Sequence, residues 1–141
     1  MARADIPIID AASAPYWDGA RQGRLLIAEC GACGTVHHYP RPFCPHCWSD
    51  DVHPLRASGT GTLYTYSTVY ANDLPPFRER LPYVAAIVEL AEGPRVMTTI
   101  EGAQPEALRV GMAVTASFRP VDADDPESPY LTVFGPSEEP T

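Results

Sequence analysis

Lysine is absent from this chain of 141 residues, and all ten of its basic residues are arginines. Eighteen acidic residues outnumber them and give a formal net charge of −8. A protein that holds nucleic acid mainly through the phosphates normally carries a basic surplus, because that attraction supplies most of its affinity. The charge therefore argues against nucleic acid as the principal partner.

Long apolar runs are also absent. The longest, from Tyr83 to Val88, falls far short of the roughly 20 residues that cross a bilayer. The first residues, MARADIPIID, contain no apolar segment of signal-peptide length. We therefore expect a cytoplasmic protein without a membrane partner.

Familiar catalytic motifs are missing too. The chain has no Gly-x-Ser-x-Gly and no phosphate-binding glycine loop, and all of its cysteines lie in one short segment. The sequence therefore predicts no catalytic residue.

That segment, ECGACGTVHHYPRPFCPHCW, arranges the cysteines as two Cys-x-x-Cys pairs with ten residues between them. A reducing cytoplasm disfavours disulfides, and a thioredoxin-like redox centre would use one such pair on a βαβ unit. Two pairs can instead present four thiolates to one point, which suits a tetrahedral metal ion. The sequence therefore predicts one zinc ion per chain, with iron in a rubredoxin-like site as the alternative for the same ligands. The predicted ligands are Cys30, Cys33, Cys44 and Cys47.

Four thiolate ligands would leave no coordination position open, so the predicted metal is structural and not catalytic. Gly34 follows the first pair and can adopt a positive φ, which lets backbone N–H groups point at sulfur. Trp48 stands at the corresponding position after the second pair, so the second turn departs from the regular pattern.

Sixteen prolines and ten glycines predict short elements joined by turns. SAPYWDGARQG predicts a helix of about two turns, with Ser13 as its N-cap, Pro15 in its first turn and Gly23 beyond its end. Tyr16 and Trp17 form an apolar patch on this helix, which either packs inside the molecule or docks on a partner. RLLIAEC and TVHHYP predict the two strands of a ribbon that flank the first cysteine pair.

Five further strands are predicted after a polar connector, LRASGTG: TLYTYSTVY, YVAAIVEL, RVMTTIEG, MAVTASFRP and YLTVFG. The periodicity alone indicates a small all-β barrel or sandwich. A short helical turn, PEALRVG, separates the third strand from the fourth and favours an OB-fold barrel. Strict alternation places Tyr64, Tyr66 and Tyr70 on one face of the first strand. They are either core and interface residues or a stacking platform for single-stranded nucleic acid, and the negative charge favours the former.

The loop NDLPPFRERLP places Phe77 among prolines, with Arg78 and Arg80 on one side of a predicted extended segment. Arginine side chains bind phosphates through their planar fork of donors. The alternative is that both arginines are solvated or pair with neighbours such as Glu79.

Taken in order, PYWDG, GRLLIAECGACG, YPRPFCPHC, GTGTLYTYS, PYVAAIVELAEGPRVMTTI and VGMAVTASF resemble successive blocks of a known family. It is the zinc-ribbon and OB-fold family called domain of unknown function thirty-five, and the resemblance covers about residues 14–136. It implies a mainly β protein with a helical segment (1–23), a rubredoxin-like zinc ribbon (24–56) and a five-stranded OB-fold (57–136). The tail, residues 137–141, is predicted to be disordered.

Members of that family are similar in being non-catalytic partners of thiolase-fold enzymes, including thiolases, acyltransferases and the aldolase that shortens steroid side chains. The resemblance therefore implies an accessory subunit that stabilises such an enzyme or helps to form its acyl-CoA site. We assign partner docking to Tyr16, Trp17 and Phe77, and contact with acyl-CoA phosphates to Arg78 and Arg80. A zinc-ribbon OB module that binds single-stranded nucleic acid is the alternative function, and a stand-alone acyl-CoA carrier is a third.

Overall fold

The computed structural model of the chain describes residues 6–137, and the predicted disordered tail lies outside the described residues except for Ser137. The described part is mainly β, as predicted, with one short α-helix, a small sheet and a closed barrel. Its α-helix is α1 (Ala14–Arg21), and its strands are β1 (Leu26–Cys30), β2 (Val36–His37), β3 (Val52–Arg56), β4 (Thr60–Val69), β5 (Tyr83–Leu90), β6 (Arg95–Ile100), β7 (Ala113–Pro120) and β8 (Tyr130–Pro136). Two 3-10 helices cover Phe77–Arg80 and Pro105–Ala107.

The start of α1 differs from its predicted capping. Ser13 already has a helical backbone conformation and its side chain makes no capping hydrogen bond to the helix. Asp10, three residues before Ser13, accepts hydrogen bonds from the start of the helix. Its Oδ1 accepts the Ser13 N–H at 2.8 Å, and its carbonyl accepts the Ala14 N–H at 2.9 Å. Hydrogen bonding from Ser13 lowers the pKa of the Asp10 carboxyl below its usual value. Gly23, at φ +77°, follows the end of the helix as predicted.

Helix α1 is fixed between the small sheet and the barrel. The Tyr16 hydroxyl donates to Thr132 Oγ1 on β8 at 2.9 Å, and the Tyr16 ring meets His38 edge to face at 5.6 Å. Arg21, in the last turn, donates to the carbonyl oxygens of Pro126, Glu127 and Ser128. A two-turn helix is marginal alone, so these tertiary contacts hold it in place.

The small sheet has three strands, in the order β2-β1-β3, and all of its pairs are antiparallel. The predicted strands correspond to β1 and β2, but the third was missed, because part of it was assigned to the polar connector. Pro54 lies within β3 and cannot donate to a ladder, which is tolerated because β3 is an edge strand paired with β1 alone.

The barrel closes in the order β4-β5-β6-β8-β7, with β7 pairing back onto β4. Its five strands and the helical turn between β6 and β7 confirm the predicted OB-like architecture. The centre of the barrel is formed by fully buried side chains that each stabilise the fold by roughly 2 kcal/mol. These side chains are Leu63, Val88, Val114 and Phe134.

A β-bulge in β4 overturns the predicted alternation. Leu63 pairs with Val88 and Thr65 pairs with Ile87, so Tyr64 is an extra residue on this strand. Because side chains alternate strictly only in a regular strand, the bulge reverses the faces beyond it. Tyr64 therefore faces outward while Tyr66 packs against the core.

The predicted domain boundaries stay a prediction; β3 ends at Arg56 and β4 begins at Thr60. Among residues 6–137, no helix is long and apolar enough to cross a membrane.

Candidate functional site

The two cysteine pairs meet at one end of the small sheet. Cys30 is the last residue of β1, and Cys33 lies in the turn that follows. All four sulfur atoms lie within 4.8 Å of one another, and two sulfur pairs are 3.6 Å apart. A disulfide would bring two sulfurs to about 2.05 Å, whereas a tetrahedron with metal–sulfur distances of about 2.3 Å has edges of about 3.8 Å. The four cysteines are therefore positioned to bind one metal ion, as predicted.

Backbone N–H groups donate to the sulfur of the first cysteine in each pair. Ala32 and Cys33 both donate to Cys30 Sγ at 3.4 Å, and His46 donates to Cys44 Sγ at 3.3 Å. Outer-shell donors of this kind orient metal ligands.

The second turn keeps the geometry of the first despite its tryptophan. Gly34 has φ +78° and donates to the Cys30 carbonyl at 2.9 Å; Trp48 has φ +67° and donates to the Cys44 carbonyl at 3.0 Å. A left-handed conformation costs a residue with a side chain roughly 1–2 kcal/mol. Trp48 is also 75% exposed, so burial of its ring within the chain does not offset that cost.

The pKa values of Cys33 and Cys47 depart from the usual thiol value in opposite directions. Hydrogen bonding to Thr35, whose hydroxyl is 3.1 Å from the sulfur, lowers the pKa of Cys33 to about 6. The backbone of Ser49 lowers the pKa of Cys47, but desolvation and the neighbouring thiols outweigh it and raise that pKa to about 12. One ionised thiol disfavours the next, and a bound divalent cation removes this conflict.

The predicted phosphate-contact residues lie in a 3-10 helix, so the extended conformation predicted for them is wrong. Arg80 lines a groove of about 870 Å³ on the barrel, and its guanidinium lies 5.8 Å from the centre of the Phe77 ring. The groove is lined by more acidic than basic groups. These groups are Glu79, Glu101, Asp122, Asp124, Arg80 and Arg119. Arg119 Nε donates to both oxygens of Glu101, at 3.0 and 2.8 Å, so that cation is already neutralised.

The residues assigned to docking, Tyr16, Trp17 and Phe77, are all half-buried. More exposed aromatic side chains flank the second metal turn in the sequence, where Tyr39 is 49% exposed and Phe43 50% exposed. We refer to Tyr39, Phe43 and Trp48 as the knuckle aromatics. They are not predicted as a group from the sequence, although Trp48 stands at a position suited to glycine.

The stacking platform, which is the disfavoured alternative for the tyrosines of the first barrel strand, is not formed. Tyr66 packs against the core, and its hydroxyl donates to the Leu108 carbonyl at 3.0 Å. Tyr64 faces outward, and the Arg95 guanidinium lies 4.0 Å from the centre of the Tyr64 ring. Since the bulge separates them, they cannot stack successive bases together.

Comparisons with known proteins agree with this architecture. Residues 17–53 match the family model described as "ChsH2, rubredoxin-like zinc ribbon domain", and residues 56–119 match "ChsH2, C-terminal OB-fold domain". The chain is 38% identical over 117 residues to a "DUF35 domain-containing scaffold protein" of Methanocaldococcus jannaschii, a match covering 81% of this chain and 82% of that one.

Two further proteins are similar over most of this chain. A "probable enoyl-CoA hydratase alpha subunit" of Thermomonospora curvata is 40% identical over 131 residues, which are 93% of this chain but 39% of the relative. The solved structure named "Ltp2-ChsH2(DUF35) aldolase" superposes with a TM-score of 0.79 at 38% identity, covering 92% of this chain and 98% of the matched chain. From its paired cysteine turns to its closed barrel, the chain belongs to the DUF35 family of ChsH2-like zinc-ribbon and OB-fold proteins.

Proposed function

We propose that the chain is a non-catalytic, zinc-binding subunit that docks on a thiolase-fold enzyme and stabilises it or helps to form its acyl-CoA site. The observation that carries the proposal is the 38% identity over 98% of a chain from the protein named "Ltp2-ChsH2(DUF35) aldolase", a name that joins two proteins. A steroid side-chain aldolase is the preferred partner and a ketothiolase the next. The complex would work in the cytoplasm, where thiols stay reduced.

The metal in this proposal has a structural role. Zinc held by four thiolates has no open position for water or substrate. It would join the end of β1 to the second cysteine turn and so hold the surface that carries the knuckle aromatics.

We assign the principal docking contact to the knuckle aromatics. Exposed apolar patches commonly mark protein interfaces, and tryptophan and tyrosine are enriched among the residues that carry binding energy. Trp48 combines exposure with a strained backbone, and such strain persists chiefly where function requires it. The proposal keeps a contribution at the edge of the contact from Tyr16, Trp17 and Phe77, because half or more of the surface of each is buried within the chain.

Co-expression with a thiolase-fold enzyme from the same source tests the docking proposal. The tagged chain should co-elute with the enzyme, and Trp48→Gly should weaken the complex by about thirtyfold, which corresponds to the roughly 2 kcal/mol of a binding hot spot. Glycine suits φ +67° without strain, so this change removes the ring without damaging the turn. Tyr70→Ser is the matched control, because Tyr70 is also 75% exposed but lies away from the metal turns.

Metal content and thermal stability are measured on both variants, which should each retain one zinc ion per chain. Separate elution of the wild-type chain, together with full activity of the enzyme alone, would refute the docking proposal. Equal weakening by Trp48→Gly and Tyr70→Ser would refute the assignment to the knuckle aromatics.

A further inference from the structure

A second cavity, of about 390 Å³, lies where the small sheet meets the barrel. Three stretches of chain surround it: the link from α1 to β1, the end of β3 with the link to β4, and the middle of β7. The lining residues that matter here are Arg24, Arg56, Ser58, Gly59 and Phe118.

The cavity differs from the barrel groove in its charge. Among the described residues that line it, Arg24 and Arg56 are the charged ones, and no carboxylate is present. A concave surface with two positive charges is unusual in a chain of net charge −8. Such a site concentrates the field that attracts an anion.

Both guanidinium groups are available to a ligand. Within residues 6–137, neither has a hydrogen bond or an ion pair with a protein group. Three other arginines are engaged, namely Arg21 with three carbonyls, Arg95 with Glu89 and Arg119 with Glu101. An unpaired guanidinium keeps its planar fork of donors, which matches the oxygens of a phosphate.

The strand register places the two arginines on one face. Arg56 pairs with Leu26, and the Ala57 N–H donates to the Leu25 carbonyl at 2.8 Å, so the antiparallel alignment continues one residue further. Leu25 and Ala57 point into the core, and therefore Arg24 and Arg56 point away from it as diagonal neighbours. Two like charges so placed repel each other unless an anion lies between them.

The remaining lining leaves room for an anion beside an apolar wall. Gly59, at φ +85°, has no side chain to fill the cavity, and Phe118 contributes ring surface. The Glu92 carboxylate is not among the lining groups, but it accepts the N–H of Ser58, which is, at 2.9 Å. The Ser58 hydroxyl, within 2.9 Å of Thr60 Oγ1, can also act as a donor.

We propose that this cavity binds a phosphate group of a ligand, and that the guanidinium groups of Arg24 and Arg56 donate hydrogen bonds to that phosphate. The phosphate has two candidate sources: the nucleotide end of a coenzyme A thioester, which rests on the proposed function, or a simple phosphate. The location differs from the predicted contact at Arg78 and Arg80. Of these two, Arg80 lines the barrel groove, where acidic groups outnumber basic ones.

Calorimetry on the zinc-loaded chain of 141 residues tests the site without any partner enzyme. The probes are coenzyme A, adenosine 3′,5′-bisphosphate and inorganic phosphate at low salt. We expect binding that weakens as salt rises and that falls at least tenfold in Arg24→Gln/Arg56→Gln. The matched control is Arg41→Gln/Arg109→Gln, which removes the same charge from exposed arginines elsewhere and should bind as the wild type does.

Tighter binding of the two nucleotides than of inorganic phosphate would identify coenzyme A as the source, and equal affinities would identify a simple phosphate. The proposal is overturned if no probe binds at millimolar concentration, or if the control variant loses as much affinity as Arg24→Gln/Arg56→Gln. It is also overturned if Arg78→Gln/Arg80→Gln abolishes binding while Arg24→Gln/Arg56→Gln does not. Since co-elution with an enzyme plays no part in this measurement, failure of the docking proposal and failure of the phosphate site are separate results.

Discussion

At the scale of single residues, the ionisation of His38 affects the stability of the fold. It lies between two rings, 5.6 Å from the centre of Tyr16 and 4.7 Å from that of Tyr39. Its Nδ1 is buried without a hydrogen-bond partner in residues 6–137. Burial, and then the neighbouring His37, lower its pKa from 6.5 to about 4.

Acid should therefore destabilise the fold through His38. Between pH 6.5 and 4 the unfolded chain binds a proton at this residue that the folded chain does not, so the stabilisation present above pH 6.5 is lost as the pH falls. His38→Phe keeps an aromatic ring and removes the titration. Between pH 7.5 and pH 5, the free energy of unfolding of the wild type should fall by about 2 kcal/mol more than that of the variant. Urea denaturation measures both, with zinc content checked in each sample. Parallel pH profiles of the two proteins would contradict this prediction.

At the scale of elements, closure of the barrel depends on a close contact between β6 and β8. The Glu101 N–H donates to the Phe134 carbonyl at 2.8 Å, beside the parallel pairing of Ile100 with Phe134. A Cβ on Gly135 would lie 2.7 Å from the Glu101 carbonyl oxygen, which belongs to the backbone and cannot rotate away.

Gly135→Ala should accordingly destabilise the protein by about 1–3 kcal/mol, because the strands must separate to admit the methyl group. Urea denaturation measures the change. Ser117→Ala, at an exposed position of β7, is the control and should stay within about 0.5 kcal/mol of the wild type. If Gly135→Ala is as stable as the control, the Glu101 carbonyl does not lie so close to Gly135 that it excludes a methyl group.

Elements set by local pattern could be predicted from the sequence, and those set by distant partners could not. The metal centre followed from cysteine spacing, and the five barrel strands from runs of apolar residues between turns. Strand β3 exists because β1 supplies its hydrogen bonds, and its Pro54 gives the opposite local signal. The bulge at Tyr64 is likewise fixed by pairing with β5, so alternation within β4 alone misassigned the faces of the tyrosines.

At the scale of the whole molecule, the metal-binding sheet and the barrel share one hydrophobic core. Leu25 and Ile27, at the beginning of the small sheet, pack in the same buried cluster as Leu63 and Phe134 of the barrel. Helix α1 strengthens the connection through Tyr16 and Arg21. The stability of the small sheet and the stability of the barrel are therefore coupled.

Removal of the metal should consequently weaken the barrel as well as the cysteine turns. Structural zinc contributes several kcal/mol to folding, and in a chain of this size a loss of that order lowers the melting temperature by about 10 °C or more. Cys44→Ser removes one buried ligand, while His46→Ala changes an exposed neighbour whose contact with the Cys44 sulfur is made by its backbone. Hydrogen exchange should show faster opening in residues 26–56 and also in β4 to β8 for Cys44→Ser, with little change for His46→Ala. If exchange in the barrel strands were unaltered by Cys44→Ser, the barrel would be folding independently of the metal, and the shared core would not couple them.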